Sequence, residues 1–365
     1  MPLYMDLHIV PGVVAKDVAQ VHMMDVQVEK EYNCKCLTYW FDESRGHAFC
    51  LIDAPDKESV VELHSRSHGL VPHKVIEVES NLVHAFLGRI TDPENAQLTE
   101  TGLKILDDTS YRIIMNVQMA DAILLEHTCG KSDAQEHIYR FQTVIREELL
   151  KNNGREVNRE GNEMVASFVS SEKAFAAACA IKEQLSKVSE MELRISIHAG
   201  EPVMQTDKLF GDTVQMLRRM NFAKNERVIH ITAAVKELLS KSHFSANSKD
   251  AFLYAPQDET FLTLLFDTLD KKYSEEDFNV EDCGDEMAMS KSQLYRKTTA
   301  LCGLSPNNLL KEYRLKKARS LMRRKDATIS EVAFDTGFAS PSYFTKCFKS
   351  RFGVLPMNYM ELALR

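Results

Sequence analysis

Apolar and polar positions change rhythm several times along the chain, and each change predicts an element. LYMDLHIV alternates with period two and stops at Pro11-Gly12, which predicts a strand and a turn. AKDVAQVHMMDVQVEKEY has a helical rhythm, and CKCLTYWF and HAFCLIDAP read as strands joined near Ser44-Arg45-Gly46. Lys57 to His68 reads as a helix that stops at Gly69, and HKVIEVE as a last strand. Residues 1–80 thus run β-α-β-β-α-β, the order of a ferredoxin-like α+β domain. Residues 81–108 read as a connector, a short apolar helix followed by the polar run TDPENAQLTETG.

Residues 109–240 predict a second, mixed α/β domain. YRIIMNVQM is a strand, Ala134 to Asn152 a long helix, REVNREGNEMVASF a hairpin and Lys173 to Val188 a further helix. LRISIHAGEP reads as a buried strand, a helix follows near Asp212, and RVIHIT is a strand. Residues 241–257 are polar and poorly patterned, which predicts a linker, and residues 258–365 show no strand pattern and predict an all-α domain.

That last domain repeats itself at an offset of 50 residues. Ser290 matches Ser340; Leu294, Thr298 and Cys302 match Phe344, Phe348 and Phe352; and Arg296 matches Lys346. The runs starting at Gly303 and at Gly353 also align. Ser290 with Gln293, and Thr328 with Glu331, have the spacing of capping boxes, and Pro341 suits a first helical position. Apolar residues at every fourth position form a buried stripe, and Gly303 and Gly353 suit helix C-terminal caps. Two short helices about a small-residue turn, with Ser, Tyr, Lys and Arg on the second, predict a helix-turn-helix, here twice. Ser305-Pro306 opens a helix to about Arg324 that links the copies.

Charge supports that reading. From Met287 to the end there are 15 Lys and Arg against 5 Asp and Glu, a balance of +10, which leaves 30 against 48, or −18, for residues 1–286. A basic segment on an acidic body suits a polyanionic partner. The eight cysteines are scattered with no CxxC pair, MPLYMDLHIV has no signal-peptide pattern, and no apolar run has the length of a membrane span, so a cytoplasmic chain is expected.

Histidine is uneven too, with seven of twelve in the first 84 residues. His8 shares a strand face with Tyr4 and Asp6, and His22, Asp25 and Glu29 form one helical stripe. His64 and His68 stand four apart on a helix, a spacing that lets two imidazoles reach one ion, and Cys50 lies on the third strand. His8, His22, Asp25, Cys50, His64 and His68 are the candidate ligands, a donor set suited to Ni²⁺ or Zn²⁺ rather than to Mg²⁺ or Ca²⁺.

Three resemblances follow from these residues. SQLYRK at 292–297, ISEVA at 329–333 and GFASPSYFTKCFKSRFGVLP resemble the AraC/XylS family of bacterial transcription regulators over about 258–362. Gly284 stands where that family commonly has Ala, and Ala288 where it often has Gly. The resemblance implies recognition helices at about 290–301 and 340–351 entering successive major grooves of double-stranded DNA. Its candidate contacts are Lys291, Ser292, Gln293, Tyr295, Arg296 and Lys297 in the first helix. In the second they are Pro341, Ser342, Tyr343, Thr345, Lys346 and Lys349. Gln293 could pair an adenine edge and Arg296 a guanine or a phosphate, while Lys316, Lys317, Arg323 and Arg324 are expected on phosphate or in solvent.

GREVNREGNEMVASF, AFAAACAIKEQL, LRISIHAGEP and LFGDTVQMLRRM resemble the class III nucleotidyl cyclase domain over about 109–240. That family holds two metal ions on two aspartates, which here fall at Asn116 and Asn162, amides that bind hard Mg²⁺ poorly. Its transition-state asparagine falls at Gln215, and its arginine is retained as Arg219. The resemblance implies a cyclase-like α/β module that is no longer an enzyme and serves as a dimerising scaffold. MPLYMDLHIVPG, YWFDE, FCLIDAPDKESV and His68-Gly69-Leu70 resemble a small family of ferredoxin-like nickel-binding proteins over about 1–80.

The expectation is a homodimeric, metal-controlled transcription regulator. A regulator answering a nucleotide held by the middle domain, and an active cyclase with a DNA-localising tail, are the alternatives.

Overall fold

The computed structural model describes residues 1–94, 96–100, 102–106, 108–160, 162–186, 193–222, 228–240, 250–324 and 327–364. The first part contains β1 (Leu3–Ile9), α1 (Ala15–Val28), β2 (Lys35–Asp42), β3 (His47–Asp53), α2 (Lys57–Ser67) and β4 (Lys74–Val78). The four strands form one sheet in the order β2-β3-β1-β4, antiparallel throughout, which is the expected ferredoxin-like arrangement.

Both faces of this sheet are buried, and strand alternation sorts the side chains between them. Met5 and Leu7 of β1 join Trp40, Phe49, Leu51 and Ile76 in a core that continues into the rest of the molecule. Tyr4 joins Tyr39, Ile52, Val60 and Leu63 in a separate core beneath α1 and α2. Asp6 and His8 point to that second side, which is why polar groups are buried there.

The connector is packed rather than loose. Its helix α3 (Ser80–Leu87) inserts Val83, Phe86 and Leu87 into the shared core, where Phe86 stacks on Phe210 with ring centroids 4.6 Å apart. Short strands β5 (Gln97–Leu98) and β6 (Lys104–Ile105) pair beyond it. There the Tyr39 hydroxyl donates to the Lys104 carbonyl at 2.9 Å.

The middle part comprises β7 (Arg112–Gln118), α4 (Ala122–Cys129), α5 (Lys131–Lys151), β8 (Arg155–Glu160), β9 (Glu163–Phe168) and α6 (Ser171–Ser186). It continues with β10 (Arg194–Gly200), α7 (Gly211–Met220), β11 (Ile229–Thr232), α8 (Ala233–Leu238) and β12 (Ala251–Tyr254). Its six-stranded sheet runs β12-β11-β10-β7-β9-β8, with β10, β11 and β12 parallel to one another. Residues 241–249 of the expected linker, Gly161 in the hairpin turn and the expected helix end at Val188 lie outside the described residues.

The remainder of the linker differs from expectation. Ala251–Tyr254 pairs with β11 as an edge strand and buries Tyr254 completely. Four residues are too few to show a period of two in a polar setting.

The carboxyl-terminal part is all helical: α9 (Pro256–Lys272), α10 (Val280–Glu286), α11 (Lys291–Cys302), α12 (Pro306–Leu321), α13 (Ile329–Asp335), α14 (Pro341–Phe352) and α15 (Pro356–Ala363). Helices α10–α11 and α13–α14 are the two helix-turn-helix pairs, and α12 joins them. The predicted caps form. Ser290 accepts from the Gln293 amide at 3.3 Å, Thr328 from Glu331 at 3.2 Å and Ser340 from Tyr343 at 3.3 Å. No described helix is long and apolar enough to cross a membrane.

Candidate metal centre and nucleic-acid interface

The amino-terminal cluster is assembled from four elements. Antiparallel pairing of β1 with β3 brings Cys50 beside Asp6, whose carboxylate accepts from the Cys50 amide at 3.0 Å. Asp56 caps α2 by accepting from the Ser59 amide at 2.8 Å, and the helix it starts carries His64 onto the same side. His64 Nε2 lies 2.7 Å from Asp6, and His64 Nδ1 lies 3.2 Å from Asp25 of α1. His8 Nε2 stands 3.4 Å from Asp6, and His68 Nε2 3.1 Å from Asp25.

Ligand atoms of Asp6, His8, Cys50 and His64 lie within 4.8 Å of one another, and all four residues are buried. Asp25, His64 and His68 form an adjoining group. His22 belongs to neither; it is half-buried, with its ring 5.0 Å from that of Tyr39. Asp6 was absent from the expected ligands, although its position on the His8 face of β1 was readable from the period of the strand.

Electrostatics bind the cluster together. Burial raises the pKa of Asp6, but the neighbouring charges of His64 and His8 overrule it and hold the carboxyl well below its usual range. Burial likewise opposes ionisation of Asp25, yet hydrogen bonds to His64 and His68 bring it down to about 2. Burial disfavours the charged form of His64, whereas Asp6 and Asp25 together push it up to about 10. Burial and the carboxylates of Asp6 and Asp25 raise the Cys50 thiol far above its ordinary value. The two carboxylates thus demand positive charge between them.

At the other end of the chain, α11 and α14, the second helices of the two pairs, present an open face. Tyr295 is 56% and Tyr343 54% exposed, and Lys291, Ser292, Gln293, Arg296, Ser342, Lys346 and Lys349 are exposed as well. Pro341 and Thr345 are half-buried. Lys297 turns inward, its ammonium 5.0 Å from the centroid of the Phe261 ring, and Gln293 Oε1 accepts from the Ser290 amide at 3.1 Å. Gln293 therefore serves first as a cap, and reading adenine with both its amide atoms requires giving that cap up. Lys291 pairs with Glu281 at 2.5 Å.

The linking helix departs further from expectation. Lys317 pairs with Asp270 at 2.6 Å, Arg323 with Asp121 at 3.2 Å, and the Lys316 ammonium lies 4.3 Å over the Phe222 ring. Lys316 and Lys317 are thus half-buried against neighbouring elements, whereas Arg323 remains exposed beside its ion pair and Arg324 is exposed as expected. Helical spacing shows which residues share a face, but not what that face touches.

In the middle domain, Asn116 is fully buried; it donates to Glu163 at 3.3 Å and accepts from Asn221 at 3.0 Å. Asn162 donates to the Met119 carbonyl at 2.6 Å. Arg219, expected as a retained transition-state group, is buried and ion-paired to Asp267 of α9. Gln215 lies half-buried on α7.

Comparison with known proteins bears on both ends. Residues 283–361 match the family described as a helix-turn-helix domain, and residues 4–78 match that described as nickel responsive protein SCO4226-like. The chain carries an AraC-type helix-turn-helix domain behind an SCO4226-like domain. The AraC-type segment is 31% identical over 131 residues to the HTH-type transcriptional activator RhaS of Escherichia fergusonii, covering 36% of this chain and 47% of that protein. The SCO4226-like domain is 31% identical to the solved structure of SCO4226 from Streptomyces coelicolor, covering 21% of this chain and 94% of that one, with a TM-score of 0.20. A bacterial light-regulated adenylyl cyclase aligns over 66% of this chain and 88% of its own, at 14% identity and a TM-score of 0.31. The chain spans between 8% and 47% of the length of the first curated relatives it matches.

The SCO4226-like domain implies a metal, and its buried donors fit one. His8 Nε2 is buried without a hydrogen-bond partner and faces the cluster. His68 Nδ1 accepts from the Leu70 amide at 3.1 Å, which places the proton of neutral His68 on Nε2, toward Asp25. A metal held here would take its donors from Asp6, His8, Cys50 and His64, with Asp25 beside His64 Nδ1.

Proposed function

We propose that this protein is a one-component transcription regulator that binds double-stranded DNA through its AraC-type domain and is controlled by a transition metal at the SCO4226-like domain. Residues 1–80 serve as sensor, 109–240 as scaffold and 258–365 as DNA-binding domain. The observation that carries the reading is the pair of capped helix-turn-helix units whose basic, aromatic faces are open. The chain acts as a cytoplasmic homodimer that sets two such domains on adjacent half-sites.

Asp6, His8, Cys50 and His64 hold the ion, with Asp25 and His68 orienting His64. Imidazole, thiolate and carboxylate donors together suit nickel or zinc. A bound cation would supply the charge that Cys50 needs to ionise beside Asp6. To control DNA binding it must bind two arrangements of the chain unequally.

The middle domain works without cyclase chemistry. Support comes from the amides at Asn116 and Asn162, both engaged within the protein, and from Arg219, neutralised by Asp267.

Metal analysis of the purified full chain, followed by DNA binding with and without the ion, tests the main reading. His8→Ala and His64→Ala are expected to lose the metal. Equal DNA affinity in both states removes metal control and spares the regulator. A chain that ignores all duplex DNA at low ionic strength removes the regulator itself. Incubation with ATP or GTP and Mn²⁺ tests the scaffold, and a cyclic nucleotide product overturns it.

A further inference from the structure

A cleft of about 570 Å³ lies between the middle domain and the linking helix α12. Arg194 and Asp121 line it from the sheet side, and Lys316, Arg319, Arg351 and Glu312 from the helical side. Four cations therefore face two carboxylates, and both carboxylates are already engaged. Asp121 pairs with Arg319 at 2.9 Å and with Arg323 at 3.2 Å, and Glu312 pairs with Arg351 at 2.7 Å.

Lys316 is the odd member. It is partly buried, its ammonium packs over Phe222, and among the described residues it has no ion pair or hydrogen bond. Burial lowers its pKa to about 8, and Arg319, Arg194 and Arg218 add to the effect against the opposing charge of Glu163. A cation in such a place is costly unless a counter-charge arrives. Phe222 and Phe352 supply apolar walls beside the cations. The volume exceeds the needs of a bare oxyanion and suits a small organic molecule.

We infer that this interdomain cleft binds a phosphorylated small molecule, with Lys316 and Arg351 on its phosphate oxygens and its organic body against Phe222 and Phe352. The inference goes beyond the metal reading and does not depend on it. The ligand touches the middle domain and α12 at once, so it favours the docked arrangement of the two. Helix α12 also spaces the two recognition helices, so ligand and DNA affect each other's affinity by the same factor.

Calorimetric titration of the full chain, kept in chelator to fix its metal state and held at constant ionic strength, tests this. The probes are ATP, pyrophosphate and inorganic phosphate. Saturable binding of ATP at one per chain is expected, with weaker binding of pyrophosphate and weaker still of phosphate. Lys316→Met and Arg351→Gln are each expected to weaken ATP by about tenfold or more, the effect of losing a charge-assisted hydrogen bond. Circular dichroism checks that Lys316→Met folds; should it not, Arg351→Gln decides. Absence of saturable binding by all three probes overturns the proposal, as does wild-type affinity in the folded variants. Loss of binding in Lys346→Ala with retention in Lys316→Met places the anion on the DNA face and overturns it equally.

Discussion

The two helix-turn-helix copies repeat a sequence but are attached to the molecule differently. Leu294, Leu301 and Cys302 of the first copy belong to a core that also contains Met216, Leu217 and Tyr254 of the middle domain and Met5 and Trp40 of the amino-terminal sheet. Phe344 and Phe348 of the second belong to a core of their own, against which Ile123 and Leu124 of α4 pack from outside. A polar clamp completes that second contact: Asp121 accepts from Arg319 at 2.9 Å, Arg323 at 3.2 Å and the Tyr359 hydroxyl at 3.1 Å. The first copy is continuous with the body, and the second is held at its side. Apolar continuity couples the first copy to global stability, whereas a few charges can release the second locally.

Core truncation should divide the copies most sharply. Leu294→Ala and Phe344→Ala each remove a fully buried side chain, at a cost of about 3–5 kcal/mol. Leu294→Ala is expected to lower protection from hydrogen exchange across the middle domain as well, while Phe344→Ala lowers it only in α13 to α15. Equal spread in both variants breaks the comparison.

Cutting the clamp should have the next largest effect. Asp121→Ala strands two guanidinium groups, and allowing for their partial exposure the docking loses about 2 kcal/mol. Exchange in α14 and α15 is expected to rise while α11 stays protected.

On DNA the two copies should behave alike. Arg296→Ala and Lys346→Ala occupy matching positions, and each is expected to weaken binding by about 1–3 kcal/mol if its side chain reaches a base. Footprints that shrink at only one half of the site in each variant would sharpen the assignment of copy to groove.

The smallest effect lies in the turns. Ala288 has φ of 49° where the second copy has Gly337 at 75°. A left-handed alanine costs about 1 kcal/mol, so Ala288→Gly is expected to raise the first copy's stability by about that much, read by denaturant midpoint. Gly284 has its own reason: a Cβ there would meet the Met289 carbonyl at 2.9 Å. The two departures from the family pattern thus lie four residues apart, Gly284 on α10 and Ala288 in the turn after it.

Local rules made much of this legible. Period two marked the first strand, and serine caps marked the starts of the helices at Lys291 and Pro341. The metal cluster was readable in part: His8, Cys50 and His64 lay in recognisable places, but Asp6 was passed over beside them. His22 shares a stripe with Asp25, yet α1 turns Asp25 under the cluster and His22 toward Tyr39. The surfaces between domains were not readable. Lys316 and Lys317 look like solvent-facing cations until Phe222 and Asp270 are in place beside them, and nothing around Asp121 announces that it gathers three partners from some two hundred residues away.

Strand β1 has two faces with different neighbours. Asp6 and His8 reach the ligand cluster from one side of its backbone, while Met5 and Leu7 reach the common core from the other. On the proposed reading, the metal-binding side and the common core are separated by the thickness of a single peptide chain. Under the proposed metal control, a displacement at His8 is one residue from Leu7, whose core also holds Leu294 of the first helix-turn-helix copy.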